Sequence, residues 1–415
     1  MILSVLFALS VAVVVWDRLP VGPLSVYRVL QWPLVALALL GLLQRRSLEF
    51  PLKSPTLWWL LGLLGAMICA SFAAWDLQEG TVQLLRYIGY ALTALIWMLV
   101  LRNCWERRFW VLLSWFMVVV ASVMALTVLT DFGGFTGFYR WYGQERPYVR
   151  QAGLLGEANY AALKLGVLLP LGLFLVKWYV RQRRVWLAGG VIGAALLVSG
   201  AIFLTGSRMG GLLLVLIWGA FAVWEREWLW RPHMVAFLGV LGGILVLVGV
   251  ALTPPGELEK GIKYLVSRYG VLLEFVQTGE ERFGAVRETS LRERFDVWAA
   301  GLQIFADHPW VGVGLGNFPK IIGQYNPAYA GVYSHNTYIA VLAELGLVGL
   351  VFFLGLCIQI WRALRKIGEH RGLASYLRLS LGVLFVSFVF LYDFEDKFFW
   401  GLFVPLALAR DTPNP

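Results

Sequence analysis

His335 stands in SHNTYIAVLAELGLVG (334–349), where a polar segment meets a long apolar run. A neutral imidazole at such a boundary can take a proton from a hydroxyl near pH 7. Ser334 or Asn336 is placed to cap the helix that the apolar run predicts, so the histidine also reads as part of a cap or as an interfacial residue. The other three histidines offer less. His233 and His370 fall at ends that the loop charges below assign to the cytoplasm, and His308 sits in DHPW, before a proline that favours a turn.

Arginines supply a second chemistry. Arg208 lies in TGSRMGG (205–211), a tight turn between two apolar runs, and Arg294 shares a helical face with Trp298, four residues on. Arg146 and Arg150 flank Pro147-Tyr148-Val149 in an earlier polar segment. Arg86 falls about one turn inside an apolar run, where a charge is costly without a partner or an anion. A guanidinium is always charged and presents a planar fork of donors matched to phosphate. Each arginine alone also reads as a side chain snorkelling to a membrane surface; several on one side point to an anion. Asp393, Glu395 and Asp396 form an acidic cluster that can orient a base, pair with arginine or face water.

The elements that must position these residues follow from composition. The chain has 415 residues, 59% of them hydrophobic and 14% charged, with a mean hydropathy of +0.71. A soluble domain carries about 25% charged residues, so a soluble fold and a disordered chain are both excluded. The apolar runs are continuous and do not alternate, which excludes a membrane β-barrel. What remains is an all-α polytopic membrane protein of about twelve spans, each needing roughly 20 apolar residues. They fall near 1–16, 26–43, 56–75, 82–101, 109–130, 160–180, 185–204, 210–224, 233–253, 337–360, 374–392 and 397–409. The first run lacks a basic leader region and a small-residue cleavage signal, and reads as a retained span. The chain divides into spans at 1–253, a large external loop at 254–336 and further spans at 337–415.

Basic residues gather in every second connection: 44–54, 102–108, 181–184, 225–232 and 362–371. The positive-inside rule assigns these, and both termini, to the cytoplasm. The net charge of +10 is thereby an orientation signal and gives no support to nucleic-acid binding. The segments at 131–159 and 254–336 fall outside, with His335 and the arginines above. Within the second, Phe295, Trp298, Leu302 and Phe305 recur at helical spacing and predict an amphipathic helix over 291–305.

Several chemistries are missing their motifs. There is no DxD triplet for a metal-bound nucleotide sugar, no GxxxxGKS/T loop and no GxSxG elbow. Cys69, Cys104 and Cys357 lie far apart, with no spacing for zinc or a disulfide framework. The stretch PWVGVGLGNF (309–318) reads as a tight turn returning the loop to the membrane rather than a phosphate cradle. No metal and no cofactor is expected.

Taken in order, TGSRMGG (205–211), SLRERFDVWAAGLQIFADHPWVGVGLGNF (290–318) and SHNTYIAVLAELGLVG (334–349) resemble the O-antigen ligase and polymerase superfamily. RQAGLLGEANYAALKLGVLLP (150–170) is also similar, although the family commonly has proline where Ala158 precedes Asn159. The resemblance implies transfer of a glycan from undecaprenyl diphosphate at the periplasmic face of the bacterial inner membrane. It implies His335 as the essential base and Arg208 and Arg294 as functional arginines. It also carries over Arg86 and Arg150 as candidate substrate-binding residues, to which the residue reading adds Arg146, Asn159, Asn336 and Asp393. Ligation of O-antigen to the lipid A–core oligosaccharide is the leading reading. An O-antigen polymerase, a protein O-oligosaccharyltransferase and a lipid-linked glycan transporter stay open. The chain's end at Pro415, soon after the last span, disfavours the protein glycosylation reading, and no paired broken spans point to a transporter.

Overall fold

The computed structural model describes residues 2–15, 17, 19–21, 24–43, 52–102, 107–132, 135–138, 152–229, 259, 263, 266, 290–367 and 372–411. Its helices are α1 (Ile2–Val15), α2 (Val26–Leu43), α3 (Pro55–Phe72), α4 (Leu77–Arg102), α5 (Arg107–Phe132), α6 (Ala158–Arg181), α7 (Val185–Leu204), α8 (Arg208–Trp224), the short α9 (Arg226–Leu229), α10 (Ser290–Asp307), α11 (Phe318–Tyr325), α12 (Thr337–Arg365), α13 (Leu373–Ser387) and α14 (Val404–Asp411). A π-helical turn, Phe399–Phe403, leads into α14. One minimal hairpin pairs Pro20–Val21 with Leu24–Ser25. Among the described residues, seven helices are long and apolar enough to cross a membrane, and four shorter apolar helices accompany them. The all-α polytopic expectation is met, and eleven of the expected spans coincide with these helices. The span expected at 233–253 lies outside the described residues.

Helix α6 is the axis of the bundle. It is apolar on every side and buried along nearly its whole length, as a helix without a polar face must be, and α5, α7, α8 and α13 pack around it. Its one buried cation, Lys164, donates to the Val15 carbonyl at 3.2 Å and pairs with Asp17. Removing one member of such a pair strands the other in low dielectric. Lys164→Met is therefore expected to destabilise the fold by about 3–5 kcal/mol, and adding Asp17→Asn should recover most of that loss. Thermal unfolding of the purified single and double variants checks this; equal midpoints would remove the pair from the stabilising interactions.

Helix α12 is broken, where the sequence reads as one continuous span. Gly346 adopts φ 64°, ψ −165°, a conformation nearly restricted to glycine. A break inside a membrane leaves backbone groups without partners, which hydrocarbon cannot supply. The loop Pro309–Gly314 fills it. The N–H groups of Leu347 and Val348 donate to the Pro309 and Trp310 carbonyls at 2.8 and 3.2 Å, and Val313 and Gly314 donate to the Ala343 and Glu344 carbonyls at 3.0 and 2.9 Å. The glycine-rich stretch does return the loop to the bundle, and it also completes the hydrogen bonding of a broken helix.

The amphipathic helix forms as α10, but with a different buried face. Val297, Ala300 and Ile304 pack with α11 and α12, while Phe295 and Leu302 are about half exposed, at 52% and 50%. The small residues decide this. A Cβ added at Gly301 would meet Ile339 at 2.6 Å, so α10 approaches α12 more closely through Ala300 and Gly301 than the larger Phe295 and Leu302 face would permit.

Candidate functional site

Three helix starts converge beside the turn Phe388–Asp393, which follows α13. Asn336 caps α12, its side-chain oxygen accepting from the Ile339 N–H at 3.1 Å. Glu157 caps α6 by accepting from the Asn159 and Tyr160 N–H groups at 3.1 and 3.2 Å. Ser207 caps α8 by accepting from the Gly210 N–H at 3.2 Å, and its hydroxyl donates to the Asn159 side-chain oxygen at 2.9 Å. The starts of α6 and α8 are thus bolted together. Tyr160 then ties them to the turn, donating to the Tyr392 carbonyl at 3.0 Å. Thr337 does the same for α12, its N–H donating to the Phe388 carbonyl at 2.7 Å. Helix starts carry partial positive charge; at α6 it meets the Glu157 carboxylate, while the neutral caps Ser207 and Asn336 leave the starts of α8 and α12 suited to an anion.

The predicted residues fall on this frame. His335 immediately precedes the α12 cap and takes φ 48°, which is uncommon for a residue with a bulky side chain. Ser334 fixes the bend: its hydroxyl donates to the Asn336 carbonyl at 2.8 Å and accepts from the Asn336 N–H at 3.2 Å. The imidazole is exposed at its surface, yet the surrounding protein partly desolvates it. That desolvation and the nearby Arg294 cation lower its pKa from the ordinary 6.5, while Glu157 and Glu293 oppose the shift. Arg294 is half-buried on α10 and donates to the Phe390 carbonyl at 3.0 Å. Trp298, on the same face, donates to the Ser334 carbonyl at 2.9 Å. Arg292 is exposed. Arg208 is the first residue of α8 and half-buried. Asn159 braces the turn before Arg208 through Ser207, and the Asp393 N–H donates to the Thr337 hydroxyl at 3.0 Å.

Arg86 is held by a partner: it donates to Glu395 at 2.8 Å and to Gln83 at 3.1 Å. Glu395 also pairs with Lys397 at 3.3 Å. Burial alone would raise the Glu395 carboxyl, but Lys397 and Arg86 hold it below the ordinary range. Asp396 is buried and accepts from the Phe399 N–H at 2.8 Å. Much of the acidic cluster therefore serves pairing and capping. Arg146, Arg150, His233 and His370 lie outside the described residues. His308 is exposed and closes the end of α10, its N–H donating to Ile304 and Phe305, which fits a turn role. Among the described residues no group of three or more His, Cys, Asp or Glu side chains is placed to hold a metal ion.

The sequence reading passed over Glu157, Thr337 and Glu344. Glu344 is fully enclosed on α12, accepting from the Phe318 N–H at 3.2 Å, with the Tyr392 hydroxyl at 3.4 Å from it. The available signal was a lone carboxylate within an apolar run, which is rare enough to demand a partner. For Glu157 the signal was an acidic residue just before the apolar run that becomes α6.

These features define an all-α polytopic membrane protein with a candidate site of histidine, arginine and carboxylate side chains at helix starts. Residues 193–354 match the family described as O-antigen ligase (Wzy_C). The chain is also similar to the O-antigen ligase of Pseudomonas aeruginosa, with 27% identity over 201 residues, covering 41% of this chain and 48% of that protein. The chain spans about half the length of this curated relative. The family resemblance read from the motifs is supported over 193–354, where the chain matches the O-antigen ligase family. That stretch includes Arg208, Arg294, His335 and Asn336.

Proposed function

We propose that this protein is an O-antigen ligase, transferring a glycan from undecaprenyl diphosphate to a hydroxyl of the lipid A–core oligosaccharide. The observation that carries the reading is the meeting of His335, Arg294 and three helix starts around one turn, with the domain match alongside. In this reading the neutral imidazole of His335 takes the acceptor proton as the hydroxyl attacks the anomeric carbon. Arg208, Arg294 and the starts of α8 and α12 receive the negative charge that develops on the departing lipid diphosphate. In this reading one direct displacement inverts the anomeric centre. Arg86, Arg146, Arg150, Asn159, Asn336 and Asp393 would contact or brace the substrates, Arg86 by exchanging Glu395 for phosphate. The site would face the periplasm across the inner membrane, with both termini in the cytoplasm and 254–336 as the periplasmic loop between the span groups 1–253 and 337–415.

The test is transfer by the purified protein in chelator, with carrier-linked O-antigen and lipid A–core as substrates. Glycosylated lipid A–core is the expected product. Extension of one carrier-linked glycan by another would instead indicate a polymerase, glycosylated protein an oligosaccharyltransferase, and movement across vesicles without covalent transfer a transporter. Arg208→Lys keeps the charge and loses the fork. It is expected to lower transfer by roughly tenfold or more, given the loss of a bidentate charged contact. Full activity of that variant would leave Arg208 a purely electrostatic part.

A further inference from the structure

Thr337 is fully buried, two residues beyond His335, and the chemistry above does not use its hydroxyl. That hydroxyl donates to the Leu391 carbonyl at 2.7 Å and accepts from the Asp393 N–H at 3.0 Å. With the backbone bond to Phe388 at 2.7 Å, one residue grips the Phe388–Asp393 turn at its beginning, middle and end. In a site shielded from water such bonds are stronger and their loss is more costly. Arg294 holds the Phe390 carbonyl of the same turn at 3.0 Å, and Tyr160 holds Tyr392. The turn is flanked below by packed rings: Phe394 lies 5.0 Å from Tyr87 and 5.1 Å from Phe353, centroid to centroid. It therefore offers a fixed reference to which α12, α10 and α6 are all attached.

We propose that Thr337 is a positioning residue for glycan transfer, setting His335 in register with Arg294 through their shared turn. The proposal rests on the transferase reading above. His335 stands on a left-handed backbone bend whose next two residues are Asn336 and Thr337, so a shift of the α12 start moves the imidazole directly. A displacement of about 1 Å in a reacting group can reduce rate roughly 100-fold.

The test compares Thr337→Val, which keeps shape and loses both hydroxyl bonds, with Thr337→Ser, which keeps the hydroxyl. In purified full-length protein the valine variant should lose roughly 10–100-fold in kcat, with donor KM changed by less than about threefold, the pattern of an interaction that acts mainly in the transition state. The serine variant should stay within about threefold of the original kcat. A second readout needs no glycan: carbethoxylation of His335, followed by peptide mass spectrometry. Its rate should change in the valine variant and not in the serine variant. Should the valine variant not fold, Thr337→Cys, a weak donor, takes its place under the same criteria. Unchanged kcat and unchanged His335 modification would overturn the proposal, as would a serine variant as impaired as valine. An original protein inactive in transfer would instead overturn the ligase reading, while the modification rates would still decide the positioning.

Discussion

His335→Ala is expected to lower glycan transfer by about 10²–10⁴-fold, the range a positioned general base contributes, while the protein keeps its helical content and elution behaviour. The histidine lies outside the packed spans, and its own surface is exposed, so its removal leaves no cavity in the core. The pH dependence provides an independent check. Desolvation and the Arg294 cation disfavour the imidazolium, so the folded-state pKa is lowered. A lowered pKa keeps the neutral, proton-accepting form populated to more acidic pH. The acidic limb of kcat/KM should therefore lie below the ordinary imidazole value of about 6.5. Arg294→Gln removes a cation that favours the neutral form, and the limb should move upward in that variant whatever its effect on the maximal rate. Transfer near the original level in His335→Ala, measured with defined substrates, would remove the histidine from the chemical step.

Gly346→Ala carries a large expected effect on folding. A Cβ at this position would sit 2.3 Å from the Trp310 carbonyl carbon and oxygen and 2.6 Å from the Val311 nitrogen. Those atoms are backbone, and the loop that bears them is fixed by four hydrogen bonds to the broken helix. It cannot retreat without stranding donors and acceptors inside the bundle. The positive φ adds about 1–3 kcal/mol of strain for any side chain. Together these are expected to destabilise the protein by more than about 3 kcal/mol, read as a fall in thermal midpoint and in yield of monodisperse protein. Gly190→Ala is the control. Nothing lies within 4 Å of a Cβ there, and the position is mid-helix in α7. Alanine should be neutral or stabilising by about 0.5–1 kcal/mol. Equal behaviour of the two variants would mean that the break at Gly346 does not depend on glycine.

A span is a local property: 20 consecutive apolar residues specify a membrane helix whatever surrounds them, because hydrocarbon forces each segment to satisfy its own backbone. That is why the helices from Ile2–Val15 to Phe399–Arg410 were legible. The motifs around Arg208, Arg294 and His335 are local in the same sense, and their order carries the resemblance to the O-antigen ligase family. Alanine before Asn159, where the family commonly has proline, did not prevent that residue from joining the α8 start through Ser207.

Contacts between distant segments were not legible. Nothing in AELGLVG reveals that Gly346 interrupts the helix, because the break survives only where Pro309–Gly314 supplies the missing partners. Periodicity found α10 but chose the wrong face, since bulk alone does not show that Gly301 must approach Ile339. Arg86 announced the need for a partner, but only the tertiary structure names Glu395 and leaves the arginine engaged before any substrate arrives. By itself, the sequence determined a polytopic helical protein, a resemblance to the O-antigen ligase family over part of its length, and the residue types of a candidate site. The tertiary structure decided that Arg294 and the starts of α6 and α12 meet at Phe388–Asp393, because the Arg294 guanidinium and the Tyr160 and Thr337 hydroxyls find carbonyl partners in that turn.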